Sequence, residues 1–256
     1  MASRKDTASR ALALIDLTNL NDDCTPEDID ALCGQAVTPF GSVAAICIWP
    51  RFVARARKAL GTDSGIRIAT VVNFPSGDGD ERSVLHETKD AVAAGADEID
   101  LVMPYKALAA GDEETARSMI ATIRAATEGV ALLKVIIEAG ELKTPHLIET
   151  ASRMALEEGA DFIKTSTGKV AVNATPEAAG IMLTVLKDFG DEKRGFKPAG
   201  GIRTVADAGQ YLALADRIMG PDWVSASTFR FGASSLLKDV LAALSGDEPA
   251  APDGDY

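Results

Sequence analysis

Leu132-Leu133-Lys134-Val135-Ile136-Ile137 leads into Thr144-Pro145 and on to Phe162-Ile163-Lys164. The first run is a short apolar stretch of strand length. Thr144 stands where a helix N-cap is needed, and Pro145 occupies the first helical position. Leu147, Ile148, Ala151, Met154 and Ala155 recur at helical spacing, and Gly159 stands at the C-cap. Phe162 opens the next apolar run. The segment reads as one strand, one crossover helix and a second, parallel strand.

The same unit repeats along the chain. Apolar runs stand at Leu12–Leu17, Val43–Trp49, Ile66–Val72, Ile99–Met103, Leu132–Ile137, Phe162–Ser166, Gly195–Pro198 and Trp223–Phe231. Their centres fall near positions 15, 46, 69, 100, 134, 164, 196 and 228, each step one strand plus one helix. Thr25-Pro26 and Thr175-Pro176 repeat the N-cap signal, and Gly95 and Gly190 repeat the C-cap signal. Eight strands alternating with helices predict a (β/α)8, or TIM, barrel of the α/β class. The even spacing favours closure over a doubly wound open sheet. One domain is expected over residues 1–245, followed by a Gly-, Pro- and Asp-rich mobile tail over 246–256.

Composition narrows the function. The chain has 256 residues, 46% of them hydrophobic, and a net charge of −12. No basic stripe suited to nucleic acid is present. No apolar run reaches the ~18 residues of a membrane span, and the N-terminal run before Asp16 is too short for a signal-peptide core. Three cysteines, Cys24, Cys33 and Cys47, lack zinc or redox spacing, which predicts a reduced cytoplasmic protein. With only His86 and His146, multi-histidine metal centres are excluded. Acid–base work must fall to Lys, Asp and Glu.

Some charges lie where charges are costly. Asp16, Asp100 and Lys134 sit inside apolar strands, and Lys164 and Lys197 follow apolar pairs. The helix-facing side of a barrel strand must be apolar, so such charges point inward, paired or with shifted pKa. Three lysines on successive strands converge on one volume, with two aspartates to compensate. Lys164 and Lys197 are placed at strand C-terminal ends, where barrel active sites lie. Two ammonium groups held close repel, and one becomes a neutral, nucleophilic amine. Moving a lysine from ~10.4 to ~7 takes roughly 4–5 kcal/mol. A purely structural ion-pair network is the alternative.

Loops after the sixth, seventh and eighth strands look built for an anion. Thr167-Gly168-Lys169, Gly200-Gly201 and Ser234-Ser235 offer backbone N–H groups, hydroxyls and a cation.

Phe162-Ile163-Lys164-Thr165-Ser166-Thr167-Gly168-Lys169 and Gly195-Phe196-Lys197-Pro198-Ala199-Gly200-Gly201-Ile202-Arg203 closely resemble the two lysine strands of the deoxyribose-phosphate aldolase family. Glu98–Val102, Leu132–Glu138 and Phe231–Ser235 resemble it too, so the likeness spans about Asp16 to Ser235. It implies a class I aldolase without cofactor or metal that splits 2-deoxy-D-ribose 5-phosphate into glyceraldehyde 3-phosphate and acetaldehyde. Lys164 would form the Schiff base. Lys197 would lower its pKa and share proton transfer with Asp100. Asp16, Thr18, Cys47 and Lys134 would line the sugar pocket, and Tyr256 on the tail could shuttle a proton. The expected partners are a sugar phosphate and an aldehyde, neither nucleic acid nor membrane, with self-association as a homo-oligomer, a dimer first. Rival readings are another Schiff-base barrel, such as a transaldolase, and a non-catalytic sugar-phosphate-binding barrel.

Overall fold

A computed structural model describes residues 3–247. Eight parallel strands form one sheet: β1 (Ile15–Asn19), β2 (Ala45–Ile48), β3 (Arg67–Val72), β4 (Glu98–Val102), β5 (Leu132–Ile136), β6 (Phe162–Lys164), β7 (Gly195–Lys197) and β8 (Phe231–Ala233). Neighbours in sequence are neighbours in the sheet, and β8 pairs with β1. Closure between β7 and β8 comes from parallel bridges, Phe196 to Phe229 and Ala199 to Gly232. The Arg230 N–H donates to the Phe196 carbonyl at 3.0 Å across this seam.

The crossover helices start where the sequence places them. Thr25, Thr144 and Thr175 each accept a hydrogen bond from a first-turn N–H, ahead of Pro26, Pro145 and Pro176. Gly190 caps the helix Pro176–Phe189 in the left-handed region. Alternation along the strands then sorts the side chains. Ile99, Leu101, Leu133, Val135 and Ile163 join the apolar layer shared by strands and helices. Residues one step away point inside, where Cys47, Ala69 and Val71 form a small apolar cluster with Leu20.

Most strands are trimmed by a residue or two from the expected runs, and the first and last differ most. The first starts at Ile15 rather than Leu12, because Arg4–Leu12 is a helix. Ser3 and Asp6 close a reciprocal capping box on it. This helix packs against the helices Val205–Met219 and Leu236–Ser245. It is tied there by Arg10 on Asp216 at 2.7 and 2.8 Å and Arg4 on Asp239 at 2.7 Å. The eighth strand is Phe231–Ala233, not Trp223–Phe231. There the Ser225 N–H donates to Thr228 Oγ1 and the Ser225 and Ser227 hydroxyls share a hydrogen bond, so local side-chain bonds replace the ladder. Also absent from the expectation is a small hairpin, Val37–Thr38 with Gly41–Ser42.

Gly246, at the start of the expected tail, is the left-handed cap of the last helix. The rest of that tail beyond Asp247, Tyr256 included, lies outside the described residues. Among the described residues no helix is long and apolar enough to cross a membrane. Cys24, Cys33 and Cys47 are buried and free.

Candidate active site

Lys164 and Lys197 are the last residues of β6 and β7 and are register partners. Asp100 on β4 is the register partner of Lys134 on β5. Period-two alternation aims all four inward, where their heads meet. Asp100 Oδ2 accepts from Lys164 Nζ at 2.7 Å and from Lys197 Nζ at 2.8 Å. Its other oxygen accepts from Lys134 Nζ at 2.9 Å. Lys197 also donates to Asp16 at 2.5 Å. Gly232 makes room for this arrangement: a side chain there would meet the Cβ of Ala199 at 2.7 Å and the Cε of Lys197 at 3.1 Å.

The electrostatics separate the lysines. Burial, the largest influence, pushes Lys164 below the ordinary lysine range; Asp100 opposes this and Lys197 reinforces it. A second cation and burial are the two causes expected for such a shift, and both act here, burial the larger. Burial also opposes the charge on Lys197, but Asp100 and Asp16 outweigh it and hold that ammonium well above the usual value. Lys134 is likewise raised, burial being outweighed by Asp100 and Glu98. Asp100 and Asp16 resist burial through the surrounding cations and stay below the usual carboxylate range. The result is one lysine biased toward the free amine beside two held as ammonium.

Above this cluster opens a cavity of about 600 Å³. Lys164, 3% exposed, reaches its wall. So do Thr18, Thr167, Gly168, Lys169, Gly200, Gly201, Ser234 and Ser235. Gly200 and Gly201 both have positive φ, +83° and +82°, which a side chain resists. Ser235 directly precedes the helix Leu236–Ser245 and makes no side-chain cap bond to it. Backbone N–H groups of the glycine turns, hydroxyls and Lys169 thus surround one mouth, suited to an anion. Asp16, Cys47 and Lys134, expected along the sugar pocket, are fully buried behind this wall instead. Burial pushes the Cys47 thiol up.

Several neighbours escaped the sequence reading. Glu98 and Arg230 are buried among the same charges. Both obey the rule that found the others: Glu98 shares a strand face with Asp100, and Arg230 lies between Phe229 and Phe231. Glu138 is fully buried, in the left-handed region at φ 52°. Its carboxyl accepts from the Thr167 N–H at 3.2 Å and from Thr167 Oγ1 at 2.5 Å, pinning the loop after β6. Burial raises Glu138, opposed by these bonds. Arg203 joins the cavity wall with an exposed side chain.

Fold and site together define a class: a (β/α)8 barrel with lysines clustered beneath an anion-suited mouth. Residues 10–242 match the model of the DeoC/LacD family aldolases, and the chain belongs to that family. A deoxyribose-phosphate aldolase of Agrobacterium fabrum (strain C58) is 60% identical over 252 residues, covering 98% of this chain and 97% of the relative. A Toxoplasma gondii ME49 structure, provisionally described as a deoxyribose-phosphate aldolase, superposes with a TM-score of 0.87 at 26% identity, covering 96% of each chain. The tetrameric deoxyribose phosphate aldolase of Aeropyrum pernix superposes at 0.74 and 28% identity, covering 94% of this chain and 92% of that one.

Proposed function

We propose that the chain reversibly cleaves 2-deoxy-D-ribose 5-phosphate to glyceraldehyde 3-phosphate and acetaldehyde through a Schiff base on Lys164. The observation that carries this reading is Lys164 itself, a buried amine on the cavity wall sharing Asp100 Oδ2 with the ammonium of Lys197. The amine attacks the aldehyde carbon of the open-chain sugar, and loss of water from the carbinolamine leaves a protonated imine. That cation accepts the electron pair of the breaking carbon–carbon bond as the neighbouring hydroxyl loses its proton. Glyceraldehyde 3-phosphate departs, and the enamine left on Lys164 is protonated and hydrolysed to acetaldehyde. Asp100 and Lys197 are placed to relay these protons. The phosphate sits at Gly168, Lys169, Gly200, Gly201, Ser234 and Ser235.

The test is borohydride reduction in the presence of deoxyribose 5-phosphate, followed by intact mass and peptide mapping. An adduct on Lys164 supports the reading. An adduct on Lys197 or Lys134 keeps the chemistry and changes the roles. No adduct moves the reading to sugar-phosphate binding without catalysis. Free cysteines and a phosphorylated substrate fit the reducing cytoplasm. Self-association, a dimer first, belongs to the same reading and is checked by sedimentation of the full chain.

A further inference from the structure

Beside Lys164 in the barrel interior, six charged side chains form a closed circuit. Arg230 Nη1 donates to Asp16 Oδ1 at 2.7 Å, and Asp16 Oδ2 accepts from Lys197 at 2.5 Å. Lys197 continues to Asp100 Oδ2 at 2.8 Å, and Asp100 Oδ1 accepts from Lys134 at 2.9 Å. Lys134 donates to Glu98, whose Oε1 accepts from Arg230 Nη2 at 2.9 Å and completes the loop. Cations and anions alternate all the way round. Around the circuit each cation donates to two carboxylates and each carboxylate accepts from two cations, so three positive charges meet three negative ones; Lys134 also lies 3.7 Å from Asp16 across the ring. Lys164 is the seventh member and stands outside the circuit; among the described residues its ion-pair partner is Asp100.

We propose that Arg230 and Glu98 are positioning residues for the reacting amine: they close a neutral ring of buried charge and so leave Lys164 without a counter-charge of its own. At a position this buried, a protonated Lys164 would be one unbalanced charge, which burial disfavours. Neither residue lines the cavity, so both act through Asp16 and Lys134. This rests on Lys164 being the Schiff-base lysine.

The other titratable groups facing Lys164 are Cys47, Glu138 and Lys169. Cys47 on β2 is held as the neutral thiol, burial being the main cause. Glu138, beyond β5, accepts from Thr167; burial pushes its carboxyl up toward the neutral acid, while Lys164 acts the other way, and Lys169 lies partly exposed near Asp22 at 3.5 Å.

The experiment measures borohydride trapping of acetaldehyde on Lys164 as a function of pH. Arg230→Met leaves the ring one negative charge in excess, so Lys164 holds its proton longer and the midpoint rises by about one pH unit. Glu98→Gln leaves one positive charge in excess, so the midpoint falls by about as much. The double variant restores neutrality and returns the midpoint toward that of the unaltered protein. A ring that serves only the fold predicts loss of stability in both variants without opposite shifts, and that result overturns the proposal. Should Arg230→Met fail to fold, Glu98→Gln decides alone: an unmoved or raised midpoint overturns it. Absence of a Lys164 adduct in the unaltered protein overturns the Schiff-base reading instead, and the ring's catalytic role with it.

Discussion

Lys164 Nζ and Lys197 Nζ donate to the same oxygen of Asp100, at 2.7 and 2.8 Å, from register-paired positions on adjacent strands. Such a shared acceptor does two things. It fixes the spacing of two groups that would otherwise repel, and it leaves the more heavily paired lysine charged. Lys197 has two carboxylate partners, Asp100 and Asp16, whereas Lys164 has one.

Lys164→Ala is expected to abolish both cleavage and borohydride trapping. Coupled assays of deoxyribose 5-phosphate cleavage and intact mass check it, and substantial residual turnover would reassign the nucleophile.

Lys197→Leu removes a cation that pushes Lys164 down and frees Asp100 to hold its proton more firmly. The pH midpoint of trapping is expected to rise. Turnover falls by roughly 10²–10⁴ as a proton-transfer partner is lost. A midpoint that stays in place rules out the electrostatic role.

Asp100→Asn takes the shared carboxylate from three buried lysines at once. Breaking a buried ion pair from one side costs about 3–5 kcal/mol, so the urea midpoint is expected to fall clearly. A variant as stable as the parent would show that the lysines find other acceptors.

Stability should depend on pH at the acid end. Asp16 and Asp100 have native pKa values below their unfolded value near ~3.9. Their contribution is therefore fully present above about pH 5 and is lost as pH falls through ~4 toward the native values. Lys164 has the opposite sign to Lys197: its lowered native pKa makes the folded state gain stability as pH rises toward the unfolded lysine value near ~10.4. Urea midpoints measured between acid and neutral pH test the carboxylates, and Asp16→Asn should flatten the acid limb.

Gly200→Ala places a methyl group 2.6 Å from Asn173 Cβ at a φ of +83°. A strained left-handed Ala costs about 1–2 kcal/mol, and relief of the clash must displace Gly200 or Asn173, both on the cavity wall. KM for the phosphorylated sugar should rise, while trapping of unphosphorylated acetaldehyde on Lys164 stays near that of the parent. Equal losses on both would place the defect in the fold rather than the anion mouth.

Much of this molecule was legible before the structure, and particular residues show why. Thr144-Pro145 and Thr175-Pro176 announce helices because capping is local chemistry. Asp100 between Ile99 and Leu101 announces an inward charge because strand alternation is local geometry. The same rule reaches Glu98 and Arg230, but the reading placed the first before its strand's apolar run and the second within a run that mostly turned out to be a turn. Ser3 and Asp6 likewise carry the signal of the first helix.

The chain by itself thus determined the eight-fold alternation, the barrel class, the inward lysines and the glycine loops at the mouth, since each depends on neighbours within a few residues. Only the tertiary structure decided which oxygen each lysine meets, that Asp16, Cys47 and Lys134 lie behind the cavity wall, and that Arg230 joins Asp16 to Glu98. Those contacts link positions 16, 98 and 230 across the barrel interior. They follow from closure and register, which all eight strands set together through their packing.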